Sequence, residues 1–293
     1  MTALGRWFRS LRPYSFPASL MPTLLGIAVA IHTGADIDWW TLPLYALSAL
    51  LFHAGTNVLN DYYDYLHGVD VPGDPDPTHV ITQGLVKPRF MLVSGNLYFF
   101  LGVVFGSIIA ASRGWLFWAV GLTGASLAYF YTNRRFSLKY KALGDVAVFL
   151  LMGPALVFLC YWALTGRISL QVILYALPIA FLVTAILHGN NTRDIDVDRN
   201  AQIDTLAGRL GFEPSKWFFV ALIGLAYVSL LPIWWSSSFG WQLLLPVFSL
   251  PLALVISRRV LHARRGAYLM ELPLWASGVH LVFSLLYSVG FLL

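Results

Sequence analysis

The feature that most constrains this chain is a succession of apolar stretches, most of them long enough to cross a lipid bilayer. A helix needs about 20 predominantly apolar residues to span the hydrocarbon layer. The fourth and eighth stretches are short, so we expect these two to be tilted or partly shielded by protein. The sequence predicts nine transmembrane helices: Ser15–Ile31, Trp40–Asn60, Phe90–Ala111, Trp115–Tyr131, Leu143–Leu164, Leu170–His188, Trp217–Trp235, Trp241–Ile256 and Leu272–Leu293.

Charged residues are too scarce for a water-soluble protein. Only 11% of the 293 residues are charged, against roughly 25% in an ordinary soluble domain, and 58% are hydrophobic. We therefore predict an all-α, polytopic membrane protein in which residues 1–293 form a single domain. The net charge of +5 comes from lysines and arginines in the loops, so it does not indicate nucleic-acid binding.

The distribution of basic residues over the loops predicts the orientation in the membrane, because lysine and arginine concentrate in cytoplasmic loops. With nine helices, all but two of the 19 basic residues fall on one side; Arg113 and Arg167 fall on the other. The two longest loops, Asp61–Arg89 and Arg193–Lys216, lie on the basic side. We therefore expect the N-terminus and these loops in the cytoplasm, at the membrane of a prokaryotic cell.

The first acidic cluster lies at the end of the second predicted span. Asn57, Asp61 and Asp64 follow the spacing i, i+4, i+7, so they share one face of a helix. Gly68 can end this helix and allow Asp70 to turn back towards the same face. The candidate residues of this cluster are Asn57, Asn60, Asp61, Asp64 and Asp70.

The second acidic cluster follows the sixth predicted span, about 130 residues later in the chain. Asn190, Asp194 and Asp198 follow the spacing i, i+4, i+8, which predicts one face of a continuous helix. Asp196 should point elsewhere on that helix and is a weaker candidate. The candidate residues here are Asn190, Asn191, Arg193, Asp194 and Asp198.

Carboxylates stacked on one helix face repel each other unless a positive charge lies between them. Hard oxygen ligands suit Mg²⁺, which keeps several waters and bridges to substrate phosphates. Two such clusters facing one cavity could hold a diphosphate through Mg²⁺ ions. The alternative is a solvated, charged loop end. The asparagines about one turn inside each span disfavour that alternative, because polar groups are costly there.

Basic and aromatic residues follow the fourth predicted span. Arg134 and Lys139 could meet the remaining charge of a diphosphate, although ordinary enrichment of cytoplasmic loops explains Arg134 equally well. Arg193, inside the second cluster, is the better diphosphate ligand. Tyr131 could stabilise a carbocation through its ring face, although packing is the simpler interpretation for any single tyrosine near the clusters.

At these residues the sequence resembles the UbiA superfamily of intramembrane aromatic prenyltransferases. The segments Asn60–Asp64 and Asp194–Asp198 are similar to the two aspartate-rich motifs of that superfamily. Within it, the sequence most resembles the 1,4-dihydroxy-2-naphthoate branch, which makes menaquinone precursors. Four stretches carry this resemblance: Arg12–Leu20, Asn60–Asp70, Lys139–Asp145, and Asn190–Arg199 continued by Thr205–Ala207.

The resemblance implies a horseshoe of nine helices with a polar cap over a central cavity. It implies Mg²⁺ on a polyprenyl diphosphate held by carboxylates of both clusters, with Asn57, Asn60, Asn190 and Asn191 beside them and Lys139 orienting the acceptor or diphosphate. The allylic bond would ionise and the aromatic ring would attack the cation. The implied metal ligands are Asp61, Asp64, Asp70, Asp194 and Asp198.

The sequence departs from the superfamily pattern at two positions. Gly68 stands where the superfamily often has an acidic residue, and Asp70 follows it, as in the naphthoate branch. The segment before Thr205 lacks the usual Gly-Lys.

The same chemistry could act on another acceptor: 4-hydroxybenzoate, haem, a chlorin or a glycerol phosphate. A cation-coupled transporter is disfavoured, because transporters place charged sites near the midplane and these carboxylates lie at span ends.

Overall fold

The computed structural model describes residues 3–70, 80–133, 137–236, 239–264 and 271–293. Within these ranges the chain is helical, without strands, which confirms the predicted all-α class. Arg134 lies outside the described residues. The α-helices are α1 (Ala3–Ser10), α2 (Pro17–His32), α3 (Thr41–Leu66), α4 (Pro88–Arg113), α5 (Trp115–Tyr129), α6 (Gly144–Leu150), α7 (Leu156–Thr165), α8 (Gln171–Arg193), α9 (Ile195–Asn200), α10 (Leu206–Leu210), α11 (Phe212–Val228), α12 (Leu230–Ser236), α13 (Leu250–His262) and α14 (Leu272–Leu292).

Each predicted span coincides with one of these helices or with a joined pair, except the eighth, which begins in a 3-10 helix, Trp241–Ser249, and continues in α13. Among the described residues, seven helical segments are long and apolar enough to cross a membrane. The bent pair Trp7–Ser15 and Pro17–His32, with a 50° angle between its parts, gives an eighth if it counts as one span. Helix α5 is shorter than this criterion requires. The protein is therefore an integral, multi-pass membrane protein, and the count of nine is not confirmed.

A π-helical turn at Leu151–Ala155 joins α6 to α7 inside one apolar segment. Pro154 cannot donate a backbone hydrogen bond, so the regular ladder is interrupted at this turn. Beside it, Gly153 approaches Ala180 of α8 so closely that an added Cβ would lie 2.4 Å from the Ala180 Cβ. The absence of a side chain at Gly153 thus lets α8, which leads into the second acidic cluster, pack directly against α6 and α7.

Helices α2 and α14 run parallel and bring their first turns to the same end of the bundle. Ser277 Oγ donates to Tyr14 O at 2.9 Å near that end, whereas His32 Nδ1 lies 3.1 Å from Phe291 O at the other. Helix α11, in contrast, brings its N-terminal part to the C-terminal end of α13, so these two helices run antiparallel. The loops that carry the two acidic clusters open at the same end as the first turn of α2, and we call it the polar end.

Lys216 fastens α11 to α13. Its buried ammonium donates to Leu261 O at 3.0 Å and to Ala263 O at 3.1 Å, carbonyls that the helix itself cannot satisfy. Glu213 Oε2 lies 2.9 Å from the same nitrogen.

We expect Lys216→Met to lower the free energy of unfolding by about 2 kcal/mol, because hydrogen bonds from a charged donor to buried carbonyls are lost. Thermal unfolding of the purified protein in detergent measures this. Lys87→Met is the matched control, because Lys87 is exposed at the start of α4. Equal melting temperatures for the two variants would contradict the assigned role of Lys216.

Candidate active site

A cavity of about 1030 Å³ opens among α2 to α8. Polar and charged side chains line its polar end, and apolar or small side chains line the rest. The apolar part extends along α4 and α5 past Gly106 and Leu122 to Phe117. A shallow groove on the outer surface of α5 shares Trp118 and Leu122 with the cavity, so its apolar part borders the lipid-facing surface.

Asp64 lies at the centre of the polar end. Its Oδ2 atom accepts hydrogen bonds from Lys139 Nζ at 2.6 Å and from Asn60 Nδ2 at 2.7 Å. Its Oδ1 atom accepts one from the Tyr140 hydroxyl at 2.6 Å. Lys139 Nζ also donates to Asn60 Oδ1 at 3.2 Å. Three donors thus hold this buried carboxylate, and the ammonium supplies the charge that compensates it.

Asp61 and Arg12 form the second charged contact of the site. Asp61 is buried, and its Oδ1 lies 3.7 Å from Arg12 Nη2. Arg12 comes from the bend between α1 and α2, which approaches α3 across the cavity. The sequence pattern marks Arg12 only as one of the arginines on the cytoplasmic side, although it lies within the stretch Arg12–Leu20 that carries the family resemblance.

The surroundings of Asp70 and Asp198 at the polar end disfavour the ionised forms of both carboxyls. Gly68, with φ 69°, ends the turn after α3 as predicted. The chain then turns back, and the backbone N–H of Asp70 donates a hydrogen bond to Asp64 O at 3.4 Å. Burial, and then the charges of Asp64 and Asp61, raise the pKa of Asp70 to about 8. Burial raises the pKa of Asp198 to about 7, although Lys139 lowers it. A cation placed here would relieve the repulsion.

The second acidic cluster does not form the continuous helix predicted from its spacing. Helix α8 ends at Arg193 and α9 begins at Ile195, with Asp194 at the junction. Arg193 donates to both carboxylate oxygens of Asp194, at 2.6 and 2.8 Å, and this carboxylate is 34% exposed. Asp198 is instead buried in the cavity wall. Asp196 also lies at the cavity, but it is exposed, whereas Asp198 is buried.

The remaining candidates of the second cluster lie at the same cavity. Asn190, Asn191 and Arg193 line its wall, with Asn191 buried. Tyr131 lines it from the end of α5. Its hydroxyl lies against Gly144, where an added Cβ would be 3.2 Å away. Burial raises the pKa of Tyr131, so its hydroxyl stays protonated and can donate a hydrogen bond.

Two loops form a cap over the polar end. Lys141 and Asp204 make a parallel backbone bridge, with a hydrogen bond from Ala142 N to Asp204 O at 2.5 Å. Lys139 N also bonds to Tyr131 O at 3.1 Å. Because one loop carries Lys139 and the other follows Asp198, the bridge fixes these two side chains relative to each other.

The donor set fits Mg²⁺ only as part of a shared site. Among the described residues, no three carboxylate, histidine or cysteine side chains lie close enough together to hold a metal ion alone. Magnesium sites commonly use one or two carboxylates and complete the octahedron with water and substrate phosphates. The buried carboxylates and the raised pKa values of Asp70 and Asp198 suit an ion that arrives with phosphate oxygens.

Tyr140 is a site residue that sequence reasoning missed. It contacts Asp64 directly although the two residues are 76 positions apart. The only sequence signal was its position beside Lys139 in a stretch that carries the family resemblance.

The sequence model described as the UbiA prenyltransferase family matches residues 19–289. The chain is 31% identical over 287 residues to UbiA prenyltransferase domain-containing protein 1 of Danio rerio, covering 97% of this chain and 83% of that protein. It is 33% identical over 292 residues to the Drosophila melanogaster homologue, covering 98% and 79%. The fold is similar to a UbiA homologue from Archaeoglobus fulgidus bound to DMAPP and Mg²⁺, with a TM-score of 0.65, 14% identity and coverage of 97% and 99%.

The buried pair of Asp64 and Lys139 generates a test of the site geometry. We expect Asp64→Asn and Lys139→Met to be non-additive, with a favourable coupling of about 1.5 kcal/mol in the free energy of unfolding. Asp64→Asn alone also relieves repulsion between Asp64 and neighbouring carboxylates. The double-mutant cycle cancels that effect and leaves only the interaction between Asp64 and Lys139. Thermal unfolding of the wild type, both single variants and the double variant measures it. Additive effects would show that the two side chains do not interact.

Proposed function

The chain belongs to the UbiA prenyltransferase family and is a prenyltransferase, and on that premise we propose a specific reaction. The protein transfers a polyprenyl group from a polyprenyl diphosphate to an aromatic acceptor, with Mg²⁺ as the cofactor. The observation that carries this proposal is the division of one cavity. Its polar end combines buried carboxylates with Lys139 and Arg12, and its remaining wall is mostly apolar. An allylic diphosphate has the same division between a charged head and an apolar tail.

The residues that would hold Mg²⁺ are the carboxylates of both clusters: Asp61, Asp64, Asp70, Asp194 and Asp198. When bound, the ion supplies charge neutralisation on the leaving diphosphate. The A. fulgidus homologue, which binds DMAPP with Mg²⁺, supports this assignment.

The chain's own basic residues account for the rest of the charge. Lys139, Arg12 and Arg193 line the polar end and bind the diphosphate oxygens as the C–O bond breaks. Tyr140 orients Asp64, and the cap holds Lys139 in place. The apolar wall excludes water, so the allylic cation is captured by the acceptor ring.

We propose 1,4-dihydroxy-2-naphthoate as the acceptor, which would give a demethylmenaquinone precursor after loss of the ring carboxylate as CO₂. Four sequence stretches that resemble the naphthoate branch support this choice. One of them is Asn60–Asp70, in which the acidic residue Asp70 follows Gly68. The names of the animal relatives do not specify an acceptor. The competing acceptors are 4-hydroxybenzoate, haem, a chlorin and a glycerol phosphate.

We also propose that the polar end faces the cytoplasm. The excess of lysine and arginine in the loops at this end supports that orientation. The expectation of a prokaryotic membrane stays a prediction: the two sequence relatives described above come from animals, and the structural neighbour comes from A. fulgidus.

Turnover tests the proposal directly. Purified protein in detergent with Mg²⁺, geranyl or longer polyprenyl diphosphate and a panel of acceptors should yield a prenylated product by mass spectrometry. We expect Asp61→Asn and Asp64→Asn to lower kcat by about 100-fold or more, because stabilisation of the leaving group is lost. Asp36→Asn is the control, since Asp36 is exposed between α2 and α3. Absence of product with every acceptor would contradict the proposed reaction.

Metal binding gives a second test that needs no turnover. Lys139 Nζ and a metal ion compete for Asp64 Oδ2, so we expect Lys139→Met to bind Mg²⁺ about tenfold more tightly, a change of about 1.4 kcal/mol. The same variant should lose turnover, because the diphosphate loses a cation. Isothermal titration with Mg²⁺ alone measures the affinity, and Lys141→Met is the control because Lys141 is exposed. An unchanged Mg²⁺ affinity of Lys139→Met would show that Lys139 does not compete with Mg²⁺ for Asp64.

A further inference from the structure

His53 is a polar side chain in the cavity wall that the proposed reaction does not use. It lies in α3, two helical turns before Asp61, and faces the bend between α1 and α2. We propose that His53 is a positioning residue that holds this bend so that Arg12 stays beside Asp61. The inference rests on the proposed function, because it assigns to Arg12 a diphosphate as its partner.

Two serines of the bend and of α2 hold the His53 ring. Ser19 Oγ lies 2.6 Å from its Nδ1 atom, and Ser15 Oγ lies 3.1 Å from its Nε2 atom. Phe16 packs edge-on against the ring, with 5.6 Å between centroids. Both nitrogens of a side chain on α3 are therefore bonded to the segment that immediately follows Arg12.

The direction of these hydrogen bonds can be assigned. The Ser15 hydroxyl has one proton, and it donates this proton to Arg12 O at 2.7 Å. Ser15 Oγ must therefore accept from His53 Nε2–H, and Ser19 must donate to His53 Nδ1. The chain of donors runs from Ser19 through His53 and Ser15 to the carbonyl of Arg12. The neutral imidazole with its proton on Nε2 satisfies every member of this chain.

The backbone of Arg12 is strained and needs such support. Its φ of 52° and ψ of 60° lie in the left-handed region, which costs a non-glycine residue energy. Pro13 follows and restricts the preceding residue to extended conformations, so the strain is compounded. Two hydrogen bonds to Arg12 O, from Ser15 N at 2.8 Å and from Ser15 Oγ, oppose that strain.

Asn57 completes the connection between α3 and the bend. Its Nδ2 atom donates to Leu11 O at 2.9 Å and to Ser15 Oγ at 3.2 Å. We call His53, Asn57, Ser15 and Ser19 the bend clamp. The helix that presents Asp61 also carries His53 and Asn57, the two side chains that donate to Ser15 Oγ. The distance between Arg12 and Asp61 is thereby set by one rigid element, and Asn57 acts in this clamp in addition to lining the cavity.

A buried histidine that only packs helices together is present for comparison. His280 of α14 lies 3.2 Å from Pro17 O and 3.3 Å from Ser284 Oγ. It also connects a helix to the first turn of α2, but it does not line the cavity and does not reach Arg12. His280→Leu therefore supplies the matched control for a structural role.

The test is a double-mutant cycle between His53 and Arg12. We expect His53→Leu to raise the KM for geranyl diphosphate about tenfold, with a smaller effect on kcat, because Arg12 is released from its position. Arg12→Gln should have a similar effect, and the double variant should be no worse than Arg12→Gln. His53→Gln, which keeps a donor towards Ser15, should recover part of the loss. His280→Leu should lower the melting temperature without changing KM.

Additive effects of His53→Leu and Arg12→Gln, or a His53→Leu variant that changes only the melting temperature, would overturn the positioning role. Binding of geranyl diphosphate, followed through the fluorescence of the 11 tryptophans, repeats the cycle without turnover. Failure of the wild type to prenylate any acceptor would sink the proposed function. Even if the wild type prenylates no acceptor, weaker binding of geranyl diphosphate by His53→Leu than by the wild type would still support the bend clamp. Equal affinities would reject it.

Discussion

Carboxylates gathered at the end of a helical bundle, away from bulk water, repel one another strongly, because the surroundings screen charge poorly. The architecture of the polar end follows from the need to balance this repulsion. Lys139, Asn60 and Tyr140 satisfy Asp64, and Arg12 approaches Asp61. The balance is incomplete, since the pKa values of Asp70 and Asp198 stay raised by burial and by neighbouring carboxylates. A cation bound beside them would favour the ionised forms of both carboxyls, in keeping with the magnesium that we propose as the cofactor.

The fold assembles this balance from segments that are distant in sequence. Arg12, the first acidic cluster, Lys139 and the second acidic cluster follow one another along the chain. They lie at the same end because the chain crosses the bundle and returns between each of these segments and the next. The cap joins the two loops beside Lys139 and Asp198, and the bend clamp joins the N-terminal segment to α3. The site therefore depends on contacts between loops and helix ends as much as on the helices.

The sequence predicted the fold class and the first acidic cluster, because both depend on local regularities. Apolar stretches fix the helices, and α3 runs unbroken through Asp61 and Asp64 to the predicted end near Gly68. The second cluster was predicted less well, because its spacing does not reveal that α8 ends before Asp194. The roles of Tyr140, Arg12 and His53 depend on partners 34 to 76 positions away, and periodicity carries no information about such contacts. Helix α5 was recognised as short, but sequence could not show that it would border the cavity.

The position of that cavity has a consequence for how the protein meets its substrates. Its apolar wall borders the outer groove of α5 through Trp118 and Leu122, at the surface that lipid surrounds. An amphiphile with a long tail need not leave the bilayer to reach the polar end. Its encounter rate then depends on two-dimensional diffusion and on its mole fraction among the lipids, rather than on its concentration in bulk solution. Expanding the membrane at constant substrate dilutes the substrate for this protein even when the volume of the sample is unchanged.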